Sequence, residues 1–113
     1  MKIINVMAIS LDGSIASKGN ERDSVRKEYG FLAEEDRRHV LSLLADADAV
    51  IAGGESIRCS GGAFDLVNHK GVSPKWMVLT NQGLPETLRF WQQDKIDRWL
   101  ISEKILSNVP AHR

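Results

Sequence analysis

The chain has 113 residues, which suits one domain built around one modest core. Hydrophobic residues make up 42% and charged residues 27%, an ordinary balance for a soluble globular protein. Fifteen basic residues offset fifteen acidic ones, so no net field recruits nucleic acid or an anionic membrane.

Lys2 to Ile9 is rich in β-formers and apolar on both parities, broken only by Asn5. That pattern predicts a strand buried on both faces, as in a parallel sheet. The same stretch opens like a secretory leader, but Asp12-Gly13 cuts the apolar run short and no small-residue cleavage site follows. No apolar run approaches the roughly 20 residues that span a bilayer. Ser10-Leu11-Asp12-Gly13 reads as a turn, since glycine accepts positive φ and aspartate bonds back to nearby amides. Ser17 to Gly30 is polar and lacks periodicity, which predicts a loop.

Glu34 to Asp46 carries the clearest helical pattern. Val40, Leu41, Leu44 and Ala45 share one face. Glu34, Glu35 and Asp36 sit in the first turn, where the macrodipole favours them. No serine or threonine caps its start. Ala47 to Gly53 predicts a second strand centred on Val50 and Ile51. Glu55 to Ser60 is a short helix at most, stopped by Gly61-Gly62, and an irregular loop runs on to Pro74. Trp76 to Thr80 predicts a third strand, followed by a turn at Asn81-Gln82-Gly83. Pro85 opens a helical turn reaching Phe90 or Trp91. Arg98 to Ser102 predicts a fourth strand, and the tail from Glu103 begins as one more helical turn. Apolar strands alternating with helices point to an α/β fold with a predominantly parallel sheet of about four strands, in one domain spanning 1–113. The last strand is left as an open edge unless something covers it.

Two stretches carry candidate chemistry. Gly53-Gly54-Glu55-Ser56-Ile57-Arg58 follows a strand's carboxyl end, where open α/β sheets bind ligands. Glycines let a backbone approach a phosphate, amides of the next turn point at it, and Ser56 and Arg58 add a hydroxyl and a positive charge. Glu55 opposes this by placing a carboxylate beside any anion. The stretch matches neither G-x-G-x-x-G nor the P-loop, so it reads either as a phosphate cradle or as a strand-to-helix turn. Asp12 also follows a strand end, as a polar substrate contact or simply as turn chemistry. His39, His69 and His112 show no metal spacing with the single cysteine, Cys59, so no metal site is expected. Cys59 closes no intrachain disulfide, a usage compatible with a reducing cytoplasm. Trp76, Trp91 and Trp99 read as core or sheet-covering residues. The elbow of serine hydrolases and the signature of zinc deaminases are both missing.

Taken in order, "VMAISLDGSIAS", "EEDRRHVLSLLADADAVIAGGESIR" and "PKWMVLTNQGLP" resemble the reductase domain of riboflavin biosynthesis. That family has the dihydrofolate-reductase-like fold. Its pattern is a first strand ending in Ser-Leu-Asp-Gly, a helix ending in Ala-Asp-Ala-Val, a Gly-x-x-Thr-x-Arg turn, and a strand closed by a hydroxyl residue. Ser56 stands here in the threonine position of that turn.

The resemblance implies an NADPH-dependent reductase. Its substrate would be a phosphoribosylamino-pyrimidine, whose opened ribose is reduced to a ribityl chain. It implies backbone contacts from Ala8 and Ile9 to the nicotinamide carboxamide, with Ser10 and Asp12 facing the cleft between nicotinamide and substrate as catalytic or orienting groups. Gly53, Gly54, Ser56, Ile57 and Arg58 would hold the cofactor's phosphates, and Thr80 and Asn81 would lie near the adenosine 2′-phosphate. A cytoplasmic protein is implied, paired as a homodimer or with a complementary C-terminal fragment. The resemblance covers nearly all of this chain and only the first half of the family domain. The alternative expectation is a half-domain that binds a nucleotide or a partner without chemistry. No nucleic-acid or membrane partner is expected.

Overall fold

A computed structural model describes residues 1–6, 11–12, 33–107 and 109–110. Helix α1 spans Glu34–Ala45. Its three acidic residues lie in the first turn, and no side chain caps it, because Ala33 holds the N-cap position. None of its residues is fully buried, but Leu41, Leu44 and Ala45 pack against the core. Strand β1 is Ala49–Gly53, and helix α2, Gly54–Ser60, follows without a break. Gly61 ends α2 at φ +83°, donating its N–H to the carbonyl of Ile57 at 2.8 Å. A side chain there would be strained in the left-handed region, which is why a glycine stops this helix. Strand β2 is Lys75–Leu79, a 3-10 turn covers Arg89–Gln92, and strand β3 is Arg98–Ile101.

The three strands form one sheet in the order β1-β2-β3, and both pairings are parallel. Val50, Trp76 and Arg98 align across one face, as do Ala52, Val78 and Leu100. This face is covered. Val50, Trp76 and Val78 join Ile57 of α2, Leu84, Phe90, Trp91 and Ile96 in the buried core. Phe90 and Trp91 meet edge to face, with ring centroids 5.4 Å apart. The 3-10 turn therefore serves as the lid of the core beside α2.

A buried amide clamp fixes the loop after α2. Gln93 accepts from the Ala63 N–H and donates back to the Ala63 carbonyl, both at 2.9 Å. Gln93 is 9% exposed and reaches Asp65 as well. Because both backbone groups of Ala63 are satisfied by one side chain, Ala63 is buried without orphaned polar atoms.

The opposite face is largely exposed among the described residues, with Met77 half-buried at its centre. Ile51, Met77 and Trp99 align across it, followed by Gly53, Leu79 and Ile101. Ile51 is 64% exposed and Trp99 51%. Parallel sheets normally bury both faces, so this apolar surface is unusual. Trp76 and Trp91 are core residues as expected, whereas Trp99 stands on the exposed face with the Lys75 ammonium 6.0 Å from its ring centre.

Several expectations are corrected. Met1 to Val6 forms no strand, and Ile3, Ile4 and Val6 are exposed. An apolar pattern supplies no ladder partner, and without one an extended segment stays unpaired; residues 7–9 of the expected strand lie outside the described residues. The sheet thus has three strands among the described residues. The helix expected from Pro85 becomes a tight turn followed by the 3-10 turn, because Leu88 is extended at ψ 141° and interrupts the helical run. The tail forms no helix among its described residues. The N–H of Glu103 is taken by Asn81 and that of Lys104 by Ser102, local bonds that compete with a helical start. Leu11 and Asp12 do form a turn.

Candidate functional site at the carboxyl edge of the sheet

With both pairings parallel, β1, β2 and β3 all end at one edge of the sheet. Gly53-Gly54 closes β1, Thr80 follows β2 and Ser102 follows β3. Gly54 is buried, and a Cβ added to it would lie 2.7 Å from the Thr80 Cβ and 2.9 Å from its hydroxyl. Only glycine lets α2 start this close to β2. Gly53 has open space around the same position.

Arg58 ties the edge together. Its Nη1 donates to the Gly83 carbonyl at 2.8 Å, and its Nε donates to the Glu55 carboxylate at 2.9 Å. The side chain is 25% exposed and Glu55 is 54% exposed. Glu55 thus offsets part of the guanidinium charge while holding its plane. The Thr80 hydroxyl, buried at 8% exposure, donates to the same Gly83 carbonyl at 3.3 Å and accepts from the Gln82 N–H at 3.3 Å. Gly83 itself sits at φ +72°, so the Asn-Gln-Gly turn bends back under Arg58. Asn81 reaches sideways to the third strand end. Its Oδ1 accepts from the Ser102 hydroxyl at 3.1 Å and from the Glu103 N–H at 2.9 Å.

Of the residues expected from sequence, the structure therefore gathers Gly53, Gly54, Arg58, Thr80 and Asn81 at one edge. Ser56 is exposed on α2 and bonds through its carbonyl to Ser60. Ile57 is 2% exposed and points into the core, so only its backbone is available to a ligand. Asp12 is exposed in its turn, while Ala8, Ile9 and Ser10 lie outside the described residues. Sequence reasoning missed Glu55 as the partner of Arg58, Gly83 as the shared acceptor, and Ser102 with Glu103 as the anchor of Asn81. The i, i+3 spacing of Glu55 and Arg58 on a helix was a usable signal for the first. No local pattern announces the other two, which join separate strand ends. Among the described residues no group of His, Cys, Asp and Glu is arranged to hold a metal ion.

The fold defines an α/β domain whose strand ends converge on a single polar edge, the edge where such sheets receive ligands. A family model, the RibD C-terminal domain, matches residues 1–110, and the chain belongs to that family. The family is that of the riboflavin-pathway reductase domain, with a dihydrofolate-reductase-like α/β fold. It is associated with reductase activity and is generally NADPH-binding. Comparison with curated proteins finds no match, and comparison with solved structures finds none. Among the described residues, no helix is long and apolar enough to cross a membrane.

Proposed function

We propose that this chain is the nucleotide-holding part of an NADPH-dependent reductase that acts in the cytoplasm on a phosphorylated ribosylamino-pyrimidine. The observation that carries the reading is the convergence of Gly54, Arg58, Thr80 and Asn81 on one edge, in a chain of this family. The donor set fits the cofactor. Gly53, with nothing within 4 Å of where a Cβ would point, leaves room for a phosphate beside the backbone, and Gly54 lets α2 start against Thr80. Ser56 offers an exposed hydroxyl beside it. Arg58 has two donors engaged, and its remaining N–H groups have no partner among the described residues, so it is able to pair with a 2′-phosphate. Thr80 and Asn81 shape the floor between the strand ends. When bound, the cofactor supplies the hydride, and the protein's task is to fix its position against the substrate. Asp12 is the residue we assign to orienting the polar end of the substrate, together with Ser10.

The test compares two dinucleotides that differ only in the 2′-phosphate. Titration of the protein with NADPH and with NADH is followed by cofactor fluorescence, for the native chain and for Arg58→Gln. The reading expects NADPH to bind more tightly, and Arg58→Gln to weaken NADPH by roughly tenfold while leaving NADH almost unchanged. Equal losses for both cofactors, or no binding of either, would remove Arg58 from the cofactor site.

The exposed sheet face favours a second reading, in which the half-domain binds a partner polypeptide, either a second copy or a complementary C-terminal fragment. Ile51, Met77, Leu79, Trp99 and Ile101 form a continuous apolar surface of the kind that marks interaction sites. A native mass spectrum with added NADPH separates the readings, since it shows subunits and cofactor adducts together.

A further inference from the structure

Arg58 and Glu55 hold each other unequally. A guanidinium carries five N–H donors and meets an oxyanion along one of two edges, Nε with Nη2 or Nη1 with Nη2. The Glu55 carboxylate already sits on the first edge, with Oε2 2.9 Å from Nε. Nη1 donates instead to the Gly83 carbonyl at 2.8 Å, from a turn 25 residues further along the chain. Arg58 therefore keeps a backbone anchor when Glu55 lets go. Glu55 has no comparable anchor. Its other oxygen, Oε1, accepts only from the Cys59 thiol, a weak donor, at 3.8 Å. Among the described residues it meets no second cation. Its side chain is also the more open of the two, 54% exposed against 25% for Arg58. An anion approaching Arg58 thus meets a carboxylate that repels it and fills a donor edge. That carboxylate turns out into water at little cost, since exposed ion pairs are weak.

We propose that Glu55 is a built-in competitor for the cofactor's 2′-phosphate, and that it sets how strongly this edge prefers NADPH to NADH. Glu55 holds the Nε edge of Arg58. An incoming phosphate takes that edge from it, while the Gly83 carbonyl keeps the guanidinium in place. NADH carries a hydroxyl where NADPH carries the phosphate, so the carboxylate has no charge there to repel. Glu55 therefore lowers the affinity for NADPH and spares NADH. The inference rests on the reading that Arg58 holds the 2′-phosphate. A carboxylate that only aimed Arg58 at the phosphate would act with the opposite sign, and the sign is measurable.

The experiment is a fluorescence titration of the full chain with NADPH and with NADH. It compares the native protein, Glu55→Gln, Glu55→Ala, Arg58→Gln, and a double variant carrying Glu55→Gln with Arg58→Gln. Glutamine keeps the length and one acceptor oxygen but loses the charge, and alanine removes the whole group. The expected result is that both Glu55 variants bind NADPH more tightly, by roughly threefold, with NADH almost unchanged. The gain should vanish in the Arg58→Gln background, where no guanidinium is left to compete for. Weaker NADPH binding in Glu55→Ala, partly rescued by Glu55→Gln, would make Glu55 an aiming group and overturn the proposal. So would an NADPH affinity that neither variant changes, or a gain that persists without Arg58. In each of these cases Arg58→Gln still separates the two cofactors, and the cofactor edge stands. If Arg58→Gln does not separate them, the reading of the edge falls and the proposal falls with it.

Discussion

Gly54→Ala sets two effects against each other. Alanine is the better helix former, and Gly54 is the first residue of α2, so propensity alone stabilises the variant by up to ~1 kcal/mol. Packing acts in the other direction. The new Cβ would sit 2.7 Å from the Thr80 Cβ, an atom fixed to the backbone that no rotamer can withdraw. Forcing a methyl into so tight a contact costs about 1–3 kcal/mol, because α2 must move away from β2. The third neighbour, Arg58 Nη1 at 3.3 Å, is the far end of a flexible chain and yields more easily. Packing wins, and a net loss of about 1–2 kcal/mol is expected, which for a domain of this size lowers Tm by roughly 5–10 °C. Urea and thermal unfolding followed by circular dichroism measure it. Gly53→Ala is the control, since nothing lies within 4 Å of its added Cβ, and its change should stay within about 0.5 kcal/mol. A Gly54→Ala variant as stable as the native chain, or more so, would refute the close approach of α2 to β2.

Two further outcomes follow from the packing. Phe90→Ala removes a ring with no exposed surface and should cost about 3–5 kcal/mol, whereas Ile51→Ser on the exposed face should change stability far less; denaturant midpoints distinguish the two. Gln93→Leu leaves the Ala63 N–H buried without its acceptor, and a loss of about 2–3 kcal/mol is expected, read as faster hydrogen exchange at that amide and a lower urea midpoint.

The central elements were legible because each carries its own local signal. The amphipathic face of α1, the apolar run through Val50 and Ile51, and the glycine stop at Gly61 depend on neighbours in sequence, and the structure keeps all three. The candidate edge was half legible. Gly54 and Arg58 stand out as strand-end chemistry from the residues themselves, whereas Thr80 and Asn81 are reached only through the family resemblance. The links among them were hidden, since Arg58 to Gly83 and Asn81 to Ser102 join segments that share no periodicity. The N-terminal segment misled for a physical reason. Apolar residues on both parities report an appetite for burial, not a partner, and the ladder of β1 runs only to β2 among the described residues. The tail misled because side-chain acceptors at Asn81 and Ser102 lie outside any helical pattern.

The parallel topology has a consequence for how the chain reaches this state. A hairpin can close as soon as its turn is made, but the sheet contains none among the described residues. Ala49 must wait for Lys75, and Trp76 must wait for Arg98. Each ladder therefore closes a long loop before any strand bond repays the entropy, which slows folding. β2 is the shared partner, so neither ladder exists until it has left the ribosome. While synthesis runs from Gly53 to Leu79, the apolar edge of β1 stands unpaired in the nascent chain. Unpaired strand edges of this kind are aggregation-prone, so the interval is a point of exposure that the finished ladder removes.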